Sequence, residues 1–146
     1  MIKRRAAAVR SLVGRDRNLL DPGLLDRILD DGAARARGVR HAVLLAQDGT
    51  TLSASRGLSR RDADHLAAVA SGFHGLARSA GRRRARPARV RRTMVELESG
   101  TLFVAAAAAG TCLVVLSVAG ADPATAAAET ARLVEVVGER LRRALG

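Results

Sequence analysis

This chain of 146 residues has no tryptophan, no tyrosine and only two phenylalanines. That shortage rules out a core of packed rings and the stacking platforms that hold single-stranded nucleic acid. With 48% hydrophobic residues, the core must instead be Leu, Val, Ile and Ala. The one cysteine, Cys112, excludes an internal disulfide framework and makes a reducing cytoplasm the expected compartment. No Cys or His pair has the spacing of a zinc site. The phosphate-cradling P-loop, the dinucleotide fingerprint and the nucleophile elbow are all missing. No cofactor, no metal and no catalytic residue are therefore expected.

Acidic residues are also few, 14 against 25 Lys plus Arg, for a net charge of +11. The excess is concentrated in two places. Residues 1–20 carry Lys3, Arg4, Arg5, Arg10, Arg15 and Arg17 against Asp16. Residues 81–92 carry Arg82, Arg83, Arg84, Arg86, Arg89, Arg91 and Arg92 with no acid. The remainder is close to neutral. Residues 1–20 do not read as a secretory signal, because Arg10 interrupts the apolar stretch and no cleavage-like site follows. Ile2, Ala6, Val9 and Val13 share one helical face there. That suits either a basic amphipathic helix, for a membrane surface or a partner, or a disordered arm.

Residues 99–121 are uncharged over 23 positions, long enough to raise a membrane span. Gly110-Thr111 divides them, small residues are frequent, and the flanking Glu98 and Asp122 lack basic or aromatic anchors. Two buried strands are the better expectation.

The remaining pattern orders the elements. Asp21-Pro22 starts a helix of about four turns, with Leu24, Leu25, Ile28 and Leu29 on one face and Gly38 as its stop. His41 to Gln47 and Thr50 to Ser55 are strands joined by Asp48-Gly49, a two-residue turn signal. Ser59 and Asp62 form a capping box for a helix to about Ala80. Leu66, Val69, Phe73, Leu76 and Ala80 make its apolar stripe. Beside that stripe lie small residues: Ala68, Gly72, Gly75 and Ser79. Each interior glycine costs on the order of 1 kcal/mol relative to Ala, so the small stripe suggests close approach by a second body. Strands follow at Arg89 to Glu98, Leu102 to Ala107 and Cys112 to Val118. Asp122-Pro123 opens a final helix to about Arg143, with Thr130, Leu133, Val134, Val137 and Leu141 inward.

Chemistry is sparse. His65 and His74, nine residues apart on one helix, fall on opposite faces and cannot share a metal. Cys112 sits in an apolar strand, as an inert buried thiol. Glu96 and Glu98 are expected in surface ion pairs with Arg89, Arg91 or Arg92. The arginine run 82–89, broken by Pro87, is a loop. It suits a phosphate backbone, an acidic protein partner, an arginine reaching a nucleotide phosphate, or solvent alone.

The segments Gly38-Val39-Arg40-His41-Ala42-Val43-Leu44-Leu45, Asp48-Gly49, Ala54-Ser55-Arg56-Gly57-Leu58 and Asp62 to Gly72, with Val95-Glu96-Leu97 and Leu102-Phe103-Val104, together resemble bacterial roadblock/dynein-light-chain domains. The resemblance covers about residues 21–143. It implies an α+β fold of roadblock/profilin-like type, in the order αββαβββα. In that fold one helix covers one face of a five-stranded antiparallel sheet and two cover the other. It implies a domain over 21–146, with 1–20 a basic N-terminal arm. It further implies a non-catalytic homodimer, paired through the middle helix and third strand, that regulates a Ras-like small GTPase beside a sensor-kinase-like protein. The location would be cytoplasmic or peripheral at the inner membrane face. Dimer contacts are expected at Ala68, Gly72, Gly75, Leu76, Ser79, Val90 and Arg92, and partner contacts at Arg61, His65, Arg78 and Arg82. The arginine connection is more basic than such relatives carry. It keeps open an alternative, a dimeric binder of nucleic acid or membrane.

Overall fold

The β-hairpin signal at Asp48-Gly49 folds as a bulged turn. Ala46 N–H donates to the Thr50 carbonyl at 2.9 Å, so three residues, not the expected two, separate the paired positions. Gly49 supplies the left-handed backbone at φ +89°, and the Asp48 carboxylate accepts from Thr50 N–H at 3.0 Å. The extra residue is absorbed by a bulge between Leu44 and Leu45.

A computed structural model describes residues 22–145 except 47, 84 and 87. The expectations for the arm 1–20 and for an Asp21 cap lie outside the described residues. The elements are α1 (Pro22–Arg35), β1 (Val39–Ala46), β2 (Thr51–Ala54), α2 (Arg60–Arg82), β3 (Arg92–Leu97), β4 (Gly100–Ala106), β5 (Thr111–Ser117) and α3 (Pro123–Leu145). All strand pairings are antiparallel, in the order β2-β1-β5-β4-β3. Residues 99–121 thus form β4, β5 and their connections. Among the described residues no helix is long and apolar enough to cross a membrane.

Strand alternation assigns the two faces. Ala42, Leu44, Phe103, Leu113 and Val115 point to one side, under α1 and α3. Val43, Leu45, Leu102, Val104, Cys112 and Val114 point to the other, under α2. The central strands are apolar on both faces because both are covered. Gly100 is obligatory where β4 meets β5: its φ is +144°, and a Cβ there would lie 2.3 Å from the Ser117 carbonyl oxygen. Ser59 caps α2 by accepting from Asp62 N–H at 3.1 Å, and Asp122 caps α3 through Thr125 N–H at 3.0 Å.

One assignment reverses. The stripe Leu66, Val69, Phe73, Leu76 and Ala80 is not what α2 lays on the sheet. The buried residues are Ala63, Ala67, Ala70 and His74, and only Leu66 of the stripe packs, in part, against the core. Spacing alone accommodates both choices, since at about 100° per residue each set forms a continuous face. Alanines let the helix axis approach the sheet more closely than leucine and phenylalanine would, so the small set is inward.

Candidate interaction surface

The consequence is an uncovered apolar face. Val69, Phe73 and Leu76 are 38%, 40% and 70% exposed, all on α2. The expected small-residue contacts are outward as well: Ala68, Gly72 and Ser79 are exposed and Gly75 half-buried. A Cβ added to Gly72 or Gly75 would meet no atom within 4 Å. Packing among the described residues therefore does not require either glycine.

The sheet's two edges differ. At one, β2 has four residues, and Ser53 hydroxyl donates to the Asp26 carboxylate on α1. Arg56 N–H, just past β2, donates to Asp30 at 2.5 Å. At the other, β3 has six residues, with Met94 and Leu97 50% and 52% exposed. A short edge tied to a helix resists further pairing, whereas a longer, uncovered one invites it.

Two expected dimer residues need correction. Val90 does not belong to the edge strand; it lies in the preceding connection, half-buried, because regular pairing begins at Arg92. Arg92 does begin β3, but its side chain is already engaged. Its guanidinium lies over the Phe103 ring, 5.7 Å from the centroid, and donates to the Ala127 carbonyl of α3 at 3.3 Å. Alternation carries that side chain to the sheet face opposite α2.

The expected partner residues separate into two groups. Arg61 and His65 are exposed one turn apart near the start of α2, and Arg82 is exposed at its end. The ends of α2 are about 30 Å apart at 1.5 Å per residue, so these side chains form no single cluster. Arg78 is a correction. Its Nε is buried without a hydrogen-bond partner, beside a cavity of about 10 Å³ lined by Leu45, Ser71, His74, Val104 and Cys112. That volume suits a single water molecule and no cofactor.

Sequence reasoning passed over His74 as a structural residue. It is 5% exposed, and its Nδ1 lies 3.2 Å from Thr93 Oγ1, tying α2 to the edge strand. Its place in the Ala63, Ala67, Ala70 series at spacings of four, three and four was the available signal. Burial, then the Arg78 charge, lowers the His74 pKa from its ordinary 6.5, so the neutral ring is favoured. Burial raises the Cys112 thiol pKa above its usual value, which outweighs the opposing effect of Arg78. This makes the thiol a poor nucleophile. His65, on the other side of α2, is exposed.

A larger cleft of about 330 Å³ lies between α1 and α3. There Arg132 pairs with Glu129 at 3.5 Å and donates to the Arg35 carbonyl at 3.4 Å. No nucleophile with an adjacent base lines it. Among the described residues no group of three or more His, Cys, Asp or Glu side chains could hold a metal ion.

The geometry can be set beside known proteins. The model of the Roadblock/LC7 domain matches residues 25–117. The crystal structure of a Roadblock/LC7 domain from Streptomyces avermitilis is 43% identical, covers 80% of this chain and 97% of its own, and superposes with a TM-score of 0.71. The gliding protein MglB from Thermus thermophilus is 18% identical over 84% of this chain and 92% of its own, with a TM-score of 0.69. Profilin IB from Acanthamoeba castellanii is 19% identical over 79% and 98%, with a TM-score of 0.57. The latter two likenesses concern the fold alone. No curated protein matches the chain. The domain match and the Streptomyces relative agree with the helix and strand order described above, and this chain belongs to the Roadblock/LC7 domain family.

Proposed function

We propose that this protein is a non-catalytic homodimeric regulator that binds a Ras-like small GTPase within a bacterial signalling complex, with a sensor-kinase-like protein as a further member. Residues 21–146 form its domain in this reading, and 1–20 are an added basic arm. The observation that carries the proposal is the apolar outer face of α2 beside an open edge strand. Full burial of a large apolar side chain is worth roughly 1.5–3 kcal/mol, and Leu76, at 70% exposed, has the most of it still to gain. A two-fold partner would cover Val69, Phe73 and Leu76 and extend the sheet through β3. Gly72 and Gly75 would let the second α2 approach.

Such a dimer offers a broad platform with Arg61 and His65 at one end of each α2 and Arg82 at the other. It would bias a GTPase only by binding its two nucleotide states with different affinity. Nothing in this mechanism needs a catalytic group from the platform. Membership of the family, and the fold shared with MglB, support a regulatory role.

Light scattering tests the dimer and pull-down tests the partner. The parent protein should scatter as a dimer, Leu76→Asp as a folded monomer. A neighbouring GTPase should be retained by the parent in one nucleotide state over the other, and lost with Leu76→Asp. A monomeric parent, or a dimer unaffected by Leu76→Asp, would refute the assigned face. Equal retention of the GDP and GTP forms would refute the regulatory reading.

A further inference from the structure

The end of α2 and its connection to β3 are the most charged part of the described structure, and of their arginines the proposed platform uses only Arg82. Arg82, Arg83, Arg86, Arg89 and Arg91 are all exposed. Among the described residues none of the five forms an ion pair, although Glu96 and Glu98 are close in sequence. The expected surface pairing with those carboxylates is therefore not made. Charges left unpaired on one short stretch repel each other in the absence of an anion.

The stretch is nevertheless shaped. Ala88 N–H donates to the Gly81 carbonyl at 3.3 Å, closing the chain back on the end of α2. A Cβ on Gly81 would lie 2.6 Å from the Ala88 carbonyl oxygen, so glycine permits that closure. Arg83 and Arg86 thus project from a closed loop that starts where α2 ends at Arg82.

We infer that this loop docks the protein on an anionic lipid bilayer by charge alone. The residues between its arginines are Ala85, Pro87, Ala88 and Val90, which provide no large apolar or aromatic anchor. Protein interfaces depend on such anchors at their centre. Duplex nucleic acid is read by a helix or a two-stranded ribbon set in a groove, and here only Arg82, the last residue of α2, lies on a helix, while Arg83, Arg86, Arg89 and Arg91 lie on neither. A bilayer with acidic headgroups is a plane of charge that needs no shape match, and four to eight clustered basic residues suffice to adsorb to it. In sequence, residues 1–20 add a second basic segment, with Lys3, Arg4, Arg5, Arg10, Arg15 and Arg17 against Asp16. Stable attachment to a membrane generally takes two such signals.

The full chain is tested by sedimentation with phosphatidylcholine vesicles that contain or lack phosphatidylglycerol. Binding is expected only with phosphatidylglycerol, and it should weaken steeply as salt rises from about 50 to about 300 mM. The triple variant Arg82→Gln/Arg83→Gln/Arg86→Gln should bind on the order of tenfold to a hundredfold more weakly. Circular dichroism should be unchanged, because these positions are exposed. The triple Arg→Lys variant should retain binding, since a bilayer reads charge and not the guanidinium fork. Three results would each overturn the inference. One is equal binding to pure phosphatidylcholine. Another is undiminished binding by the Gln variant. The last is displacement from vesicles by duplex DNA at equal phosphate concentration, which would name nucleic acid instead. Dimerisation, read separately by light scattering, is independent of all three.

Discussion

The two long helices, α2 and α3, each have 23 residues and each carry an apolar stripe, yet the fold uses them in opposite ways. α3 buries its large side chains: Leu133, Val137 and Leu141 are inward, with Ala126 and Thr130. α2 buries alanines and one histidine and turns Val69, Phe73 and Leu76 outward. The difference teaches that an apolar stripe identifies a surface that prefers to be covered without saying what covers it. α3 shares its sheet face with α1, and Leu133 fills the crossing so closely that a Cβ on Gly32 would lie 2.2 Å from its Cδ1. α2 is alone on its face. Among the described residues its outer side has no neighbour within the subunit.

The strongest test of this contrast is a matched truncation. Leu133→Ala should cost about 2–5 kcal/mol in urea denaturation, because it removes a buried side chain and leaves a cavity. Leu76→Ala, measured at concentrations where the protein is monomeric, should stay within about 0.5 kcal/mol of the parent. Similar losses at both sites would abolish the distinction between the helices.

Acid should also separate them. His74 is the titratable group in the buried face of α2, whereas the buried face of α3 has none. Its folded-state pKa lies below the ordinary 6.5, so the neutral ring stabilises the fold fully above pH 6.5. That contribution is lost as pH falls from 6.5 through the lowered value. Hydrogen exchange should show the amides of α2 losing protection before those of α3, with the loss blunted in His74→Gln. His41, shifted the same way by burial and Arg40, contributes the residual slope in that variant. Simultaneous loss in both helices would place the acid-sensitive contact elsewhere.

The smallest effect sharpens the reading of the glycines. Gly72→Ala meets open space, so the monomer should gain up to about 1 kcal/mol from helix propensity. The same change should weaken dimers if a second helix lies against that notch. A stabilised monomer with an unaffected dimer would leave the notch without a role.

Much of the fold was legible in the chain because the signals were local. Ser59 and Asp122 read as caps and act as caps. The uncharged run 99–121 read as two strands buried on both faces, and alternation delivers that. Cys112 read as buried and inert, which its place under α2 explains. Misreadings arose where the competing choices had equal periodicity or depended on distant residues. Both faces of α2 satisfy helical spacing. Arg92 could be read as a dimer contact only while Phe103 and the Ala127 carbonyl were out of view. Arg78 read as a partner contact, but its Nε is buried and the residue lines a small cavity with His74 and Cys112.

The order and type of every element follow from residues within a few positions of one another: turn glycines, caps, and alternating or helical apolar spacing. These interactions operate before the chain is compact. Which face of α2 meets the sheet, which sheet edge stays open, and which arginines remain unpaired were decided only by packing. Each is a competition among groups far apart in the chain, settled by how closely a helix can approach a sheet and by what lies opposite once it has.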